Sequence, residues 1–295
     1  MARRSLRHLV GRRATLRGLS SQQPKVVALG GGMGLSASLT ALRRITGDLT
    51  AVVTVADDGG SSGRLRDELG VLPPGDLRKA LAALCGDDEW GRTWAQVVQH
   101  RFESRGDLHE HAVGNLLIVA LWEQLGDHVQ ALDLVGKLLG GRTAGCCRCP
   151  PCRWSCARAS VRGHDPARPD ELSIVRGQAT VALTRGEVQE VHLVPSDPPA
   201  VSEAVRAVLD ADWVVLGPGS WFSSVIPHLL VPELLEALTE TKARKVLSLN
   251  LAPQPGETDG FFPRSVIWRF WGDTPLNSPS TWCWPTRMPC PTRTP

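Results

Sequence analysis

The sequence predicts an α/β protein built on a mostly parallel sheet with flanking helices. Two patterns predict this. Apolar runs of strand length alternate with stretches whose apolar residues recur every three or four positions. Glycine-rich turns then follow directly on the strand-like runs. With 295 residues and 42% hydrophobic content, the chain can bury a sizeable core as one or two domains.

The α/β pattern starts at Lys25. A strand over Val26 to Leu29 leads into a turn with Gly30, Gly31, Gly32 and Gly34, then a helix from Leu35 to Ile45. A second strand, Leu49 to Val55, completes a βαβ unit, whose strands should run parallel with a right-handed crossover. The glycine turn places backbone N–H groups at a helix N-terminus, where they attract phosphate. It is not G-x-G-x-x-G, because Leu35 stands at the third glycine's position.

The second strand runs into TVADDGGSSGRLRDELGVLPPGD. Asp57 and Asp58 open a stretch continuing through Gly59, Gly60, Ser61, Ser62 and Gly63. Paired acids after a strand suit ribose hydroxyls or Mg²⁺. Glycine admits close approach of a ligand, and serine adds a hydroxyl without bulk. The stretch reads as a ligand-binding loop, closed by Pro73–Pro74 and by Gly75–Asp76 as turn and helix cap.

Residues 77 to 140 read as helical. His111 and Asn115 stand four apart, hence on one helical face, suited either to a ligand or to tying down a helix end. Strands are expected over Leu172 to Val175, Ala179 to Leu183 and Val188 to Val194, the last two as a hairpin across residues 184–187. An amphipathic helix over 200–211 precedes a strand that ends in Gly217-Pro218-Gly219-Ser220. A last strand, Val246 to Leu251, runs into another polar loop. Four strand-then-glycine loops on one sheet edge predict a nucleotide-type crevice there.

Charge is unevenly spread. Subtracting local charges of +6 (residues 1–24), +3 (143–160) and +3 (261–295) from the total of +3 leaves −9 on the remainder. That acidic body argues against a nucleic-acid surface, and no apolar run is long enough for a membrane span. Seven of the eight cysteines and five of the ten tryptophans fall in 143–160 and 261–295. Cys149 and Cys152 form a C-x-x-C pair, but no second pair or histidine pair stands at zinc-finger spacing.

The segments GGGMGLSASLTAL, TVADDGGSSGRLRDELGVLPPGDLRKALAAL, HRF, HAVGNLL, VVLGPGSWFSSVIPHLLV and NLAPQPGET resemble the bacterial gluconeogenesis factor family, which is related to the 2-phospho-L-lactate transferases. The resemblance spans about Lys25–Arg142 and Val161–Gly260. It implies a Rossmann-like domain over residues 25–260, a cytoplasmic location, a UDP-sugar ligand such as UDP-N-acetylglucosamine, and roles in gluconeogenic growth, cell shape and cell-wall synthesis. No cofactor and no established reaction come with it. Cell-wall or regulatory proteins are candidate partners, and a homo-oligomer is compatible with it.

By the same matching, the glycine turn from Gly30 to Gly34 contacts phosphate, and Gly31, Gly32, Met33, Gly34 and Leu35 are ligand-binding residues. Asp57, Asp58, Gly59, Gly60 and Ser61 form the site floor, and His111, Asn115, Gly217, Pro218, Gly219 and Ser220 line the pocket. Family members usually carry Thr at the position of Met33. The competing enzyme reading is a phospholactate-type or phosphoryl transferase whose Mg²⁺ sits on Asp57 or Asp58. An NAD-dependent oxidoreductase is a third, weaker reading.

Two segments depart from the family pattern. Residues 143–160 stand where a family strand is expected, and 261–295 replace the expected ending. Both are rich in Arg, Cys, Trp and Pro, the composition of GC-rich coding DNA read out of frame. Both are therefore expected to be aberrant and partly disordered, and residues 1–24 are expected to be a disordered or mis-started extension.

Overall fold

The computed structural model describes residues 23–55, 59–140, 147–148, 155–162, 164–165, 167–168, 170–177, 180 and 187–251. The expectations for 1–22 and 261–295, and those for Asp57 and Asp58, lie outside the described residues.

Strand β1 (Val26–Gly30) is buried at all five positions, as a parallel strand covered on both faces should be. It pairs in parallel with β2 (Leu49–Val53) on one side and β7 (Trp213–Leu216) on the other. Outside them lie the two-residue β3 (Cys147–Arg148) and β8 (Arg244–Leu247), both parallel to their neighbours. The order β3-β2-β1-β7-β8 makes this a Rossmann-like α/β sheet. Strand order, not chain direction, reverses between β1 and β7, and the carboxyl ends of β1, β2, β7 and β8 share one edge, as the sequence predicts.

Helix α1 (Gly32–Leu42) connects β1 to β2 and buries Leu35 and Leu39. After β2 come α2 (Gly60–Leu69), α3 (Gly75–Ala83), α4 (Glu89–Gln99), α5 (Val113–Leu125) and α6 (His128–Leu138). Asp88 caps α4 through Gly91 N–H, and Asp127 caps α6 through the N–H groups of Val129 and Gln130. Asp76 does not cap α3. Pro74 is the cap residue, and the Asp76 carboxylate, in the first turn, pairs with Lys79 Nζ at 2.9 Å.

The expected loop at 59–63 is mostly helix. Gly60, Ser61, Ser62 and Gly63 form the first turn of α2, with Ser61 and Ser62 each only 2% exposed. Glycine and serine weaken a helix only modestly, and burial against α5 overrides their preference for turns.

A second, antiparallel sheet has the order β5-β4-β6, from β4 (Ser155–Arg162), β5 (Leu172–Val175) and β6 (Glu187–Val194). Its central strand therefore lies largely within the compositionally anomalous 143–160. Ala159 and Val161 of this strand are fully buried. β6 pairs with β4, where a hairpin with 179–183 was expected. Thr180, the described residue of that run, is helical.

The amphipathic helix is α7 (Ser202–Leu209). After β7 a π-helical turn (Trp221–Val225) leads into α8 (Ile226–Leu229), then α9 (Pro232–Glu240). The last strand ends at Leu247, four residues before the predicted Leu251, because Ser248 N–H closes the ladder on Leu216.

Leu29 is fully buried at the centre of the sheet. Leu29→Ala should cost about 2–5 kcal/mol, read as a lower midpoint in urea with unchanged m-value.

Candidate functional site

The turns after β1 and β7 touch. A Cβ on Gly34 would lie 2.1 Å from the carbonyl oxygen of Pro218, so hydrogen alone fits between the first turn of α1 and the β7 loop. Gly219 has φ +151 and faces the Gly31 carbonyl and Ser224. Ser220 Oγ caps the π-helical turn through Ser223 N–H, and Ser38 Oγ donates to the Gly217 carbonyl at 3.1 Å. Asn250 completes the loop: its Oδ1 accepts from Gly219 N–H and its Nδ2 donates to the Gly219 carbonyl, both at 2.9 Å.

Gly31 is the N-cap of α1, and its Cα faces Thr54 Oγ1, Asp76 Oδ2 and Ser224 Oγ. No side chain caps this helix, leaving its first N–H groups at the crevice. The Met33 side chain is 77% exposed. Leu35 lies beneath the turn. Its side chain is 1% exposed and packs under Gly30, and its N–H donates to the Gly31 carbonyl.

A second cluster joins α2, α3 and α5. Ser61 Oγ lies 3.2 Å from His111 Nδ1, 3.0 Å from Asn115 Nδ2 and 3.3 Å from Ala112 N. Arg78 Nε donates to Asn115 Oδ1 at 2.9 Å, and Arg78 Nη1 donates to Gln99 at 3.4 Å. His111 and Asn115 do meet, but not as neighbours on one helix. His111 precedes the Ala112 cap, and Asn115 is in the first turn of α5. Gly114 makes the packing feasible, since a Cβ there would come within 2.9 Å of Val98 and Arg78. Glu110, just before His111, holds φ +61, an uncommon conformation for a residue with a side chain.

Helix α3 links the clusters, with Asp76 facing Gly31 and Arg78 facing Asn115. The sequence reading singled out neither for the site, nor did it single out Thr54, Ser224, His228 or Asn250. Asp76, Arg78, His228 and Asn250 all lie in quoted motifs, but no local pattern marks Arg78 or His228 for a polar contact. Among the described residues, no group of three His, Cys, Asp or Glu side chains could hold a metal ion.

Two buried histidines stay neutral here. Burial lowers His111 below its usual range; nearby Arg64 and Arg101 add to this and Glu68 opposes it. Burial also takes His228 down to about 4, against a smaller opposing effect of its bond to the Gly30 carbonyl. The unfolded chain, with histidine near 6.5, therefore binds the extra proton more readily. His228 contributes stability above pH 6.5 that is lost as pH falls toward 4. That loss should reach about 3 kcal/mol, and H228Q should flatten the slope in denaturant melts between pH 6.5 and 4. In the same assay, Gly34→Ala should cost about 1–3 kcal/mol by overpacking. Gly136→Ala, whose Cβ meets only ordinary contact at 3.9 Å, should stabilise α6 by about 0.5–1 kcal/mol.

The family model described as 2-phospho-L-lactate transferase CofD matches residues 26–269. A Mycobacterium leprae protein is 55% identical over 238 residues, covering 81% of this chain and 66% of that protein, just under two thirds of its length. The gluconeogenesis factor of Bacillus subtilis is 39% identical over 237 residues, covering 80% of this chain and 71% of that protein. A crystal structure of a Bacillus halodurans protein superposes with a TM-score of 0.74 at 36% identity, over 85% of this chain and 76% of that one. The chain belongs to the CofD family, alongside relatives named gluconeogenesis factor.

Proposed function

We propose that this protein binds a nucleotide sugar of the UDP-N-acetylglucosamine type at the carboxyl edge of its parallel sheet. In this reading it acts as a gluconeogenesis factor, supporting growth on gluconeogenic carbon sources, cell shape and cell-wall synthesis. The observation that carries the reading is the contact of the Gly31–Gly34 turn with the Gly217–Gly219 loop where strand order reverses. Open α/β sheets hold nucleotides at that point. The first N–H groups of α1 suit a diphosphate there. The relative from Bacillus subtilis that bears the name gluconeogenesis factor supports the gluconeogenic part of this reading.

The transferase reading has one observation in its favour, the description of the matching family model. It requires Mg²⁺ on Asp57 or Asp58 and a turnover that pure binding does not.

Titration calorimetry of this chain with UDP-N-acetylglucosamine and with GDP, each with and without Mg²⁺, separates the two. Saturable, metal-independent UDP-sugar binding that is abolished by Gly34→Ala is expected. Binding of GDP that depends on Mg²⁺, with no binding of the UDP-sugar, would transfer the assignment to the transferase reading.

A further inference from the structure

The cluster on Ser61 has only one consistent assignment of protons. Arg78 is its root, because a guanidinium donates and does not accept. Its Nε faces Asn115 at 2.9 Å, so the oxygen of that amide points at Arg78. The NH₂ group then points at Ser61, and Asn115 Nδ2 donates to Ser61 Oγ at 3.0 Å. The backbone N–H of Ala112 donates to the same oxygen at 3.3 Å. Both lone pairs of Ser61 Oγ are thereby engaged. Its own proton has one remaining acceptor in the cluster, His111 Nδ1 at 3.2 Å. An acceptor at Nδ1 puts the imidazole proton on Nε2. Among the described residues, Nε2 makes no hydrogen bond.

We propose that Arg78, Asn115 and Ser61 are positioning residues that hold His111 as its Nε2–H tautomer, and that His111 offers the ligand a hydrogen-bond donor to an acceptor oxygen. The ligand half rests on the nucleotide-sugar reading above, whereas the tautomer does not. Two chemical roles are ruled out by the same assignment. His111 has no basic nitrogen left to take a proton from a bound hydroxyl. Ser61, 2% exposed, has no lone pair left to attack an electrophile, so the Ser–His contact is not a nucleophile–base pair. The depressed basicity of His111 agrees with this, since Ser61 can donate only to an unprotonated Nδ1. The charged groups acting on the ring are Arg64, Arg101 and Glu68, and the two arginines favour an electron-rich oxygen as the partner.

Long-range ¹H–¹⁵N correlation spectra of the full chain read the tautomer directly, with the His111 signals assigned by their loss in H111Q. The ligand-free wild type at neutral pH should show protonated Nε2 and unprotonated Nδ1. In N115D a carboxylate still accepts from Arg78 but now accepts from Ser61 as well. The Ser61 proton turns away, one lone pair is freed, and His111 should switch to the Nδ1–H form. S61A should abolish the preference for Nε2–H, and this variant decides the matter if N115D does not fold. A protonated Nδ1 in the wild type overturns the proposal, as does an unchanged tautomer in a folded N115D. UDP-N-acetylglucosamine should shift the Nε2 resonance and leave the tautomer as it was. A bound ligand that leaves Nε2 unmoved overturns the donor role. A failure of that ligand to bind counts against the nucleotide-sugar reading, with the ligand-free tautomer intact.

Discussion

The carbonyl of Gly30, the last residue of β1, is the point that both halves of the large sheet share. From the β2 side it accepts the backbone N–H of Thr54 at 2.9 Å, with Thr54 Oγ1 at 3.4 Å. From the β7 side it meets Nε2 of His228 at 3.4 Å. A carbonyl only accepts, so this imidazole must carry its proton on Nε2. Everything that forms the crevice starts within a few residues of this oxygen. The Gly31 cap, the α1 N-terminus and the contact with Pro218 keep their places only while the end of β1 is held from both sides. Burial of an imidazole is tolerable only with a hydrogen-bond partner, and the second lone pair of this carbonyl gives His228 one.

The second cluster obeys the same logic with longer reach. A buried guanidinium is tolerable only with good hydrogen bonds, and Arg78 gives donors to Asn115 and Gln99 while α3 holds it in place. Its polarity then passes through an amide and a hydroxyl to an imidazole. Directionality in such a chain comes from the end that has no choice. Exchange of the amide for a group of opposite polarity would reverse every later member without moving an atom far.

Much of this was legible in sequence. The alternation of apolar runs and periodic helical stretches gave β1, α1, β2, α7 and β7 to within a few residues. The four carboxyl ends on one edge followed from their being parallel. The start of α2 was not legible, because Gly60, Ser61, Ser62 and Gly63 have turn chemistry and become helical only through burial. β4 was hidden for a different reason. The composition around Cys156 and Arg158 points away from a strand, while its pairing with β5 and β6 is set by partners far along the chain. The roles of Arg78 and His228 were also out of reach, since their partners stand 37 and 198 residues away and no local pattern encodes such contacts.

The twin bonds between Asn250 and Gly219 have a further meaning. The backbone ladder between β7 and β8 closes with Ser248 N–H on Leu216. Just past that rung, the Asn250 side chain presents a carbonyl and an NH₂ group to the N–H and carbonyl of a single residue. An amide side chain is here mimicking one more peptide of β8, lengthening the sheet without lengthening the strand. A fragment ending at Leu247 would contain all four longer parallel strands and still lose the rung that shapes the β7 loop.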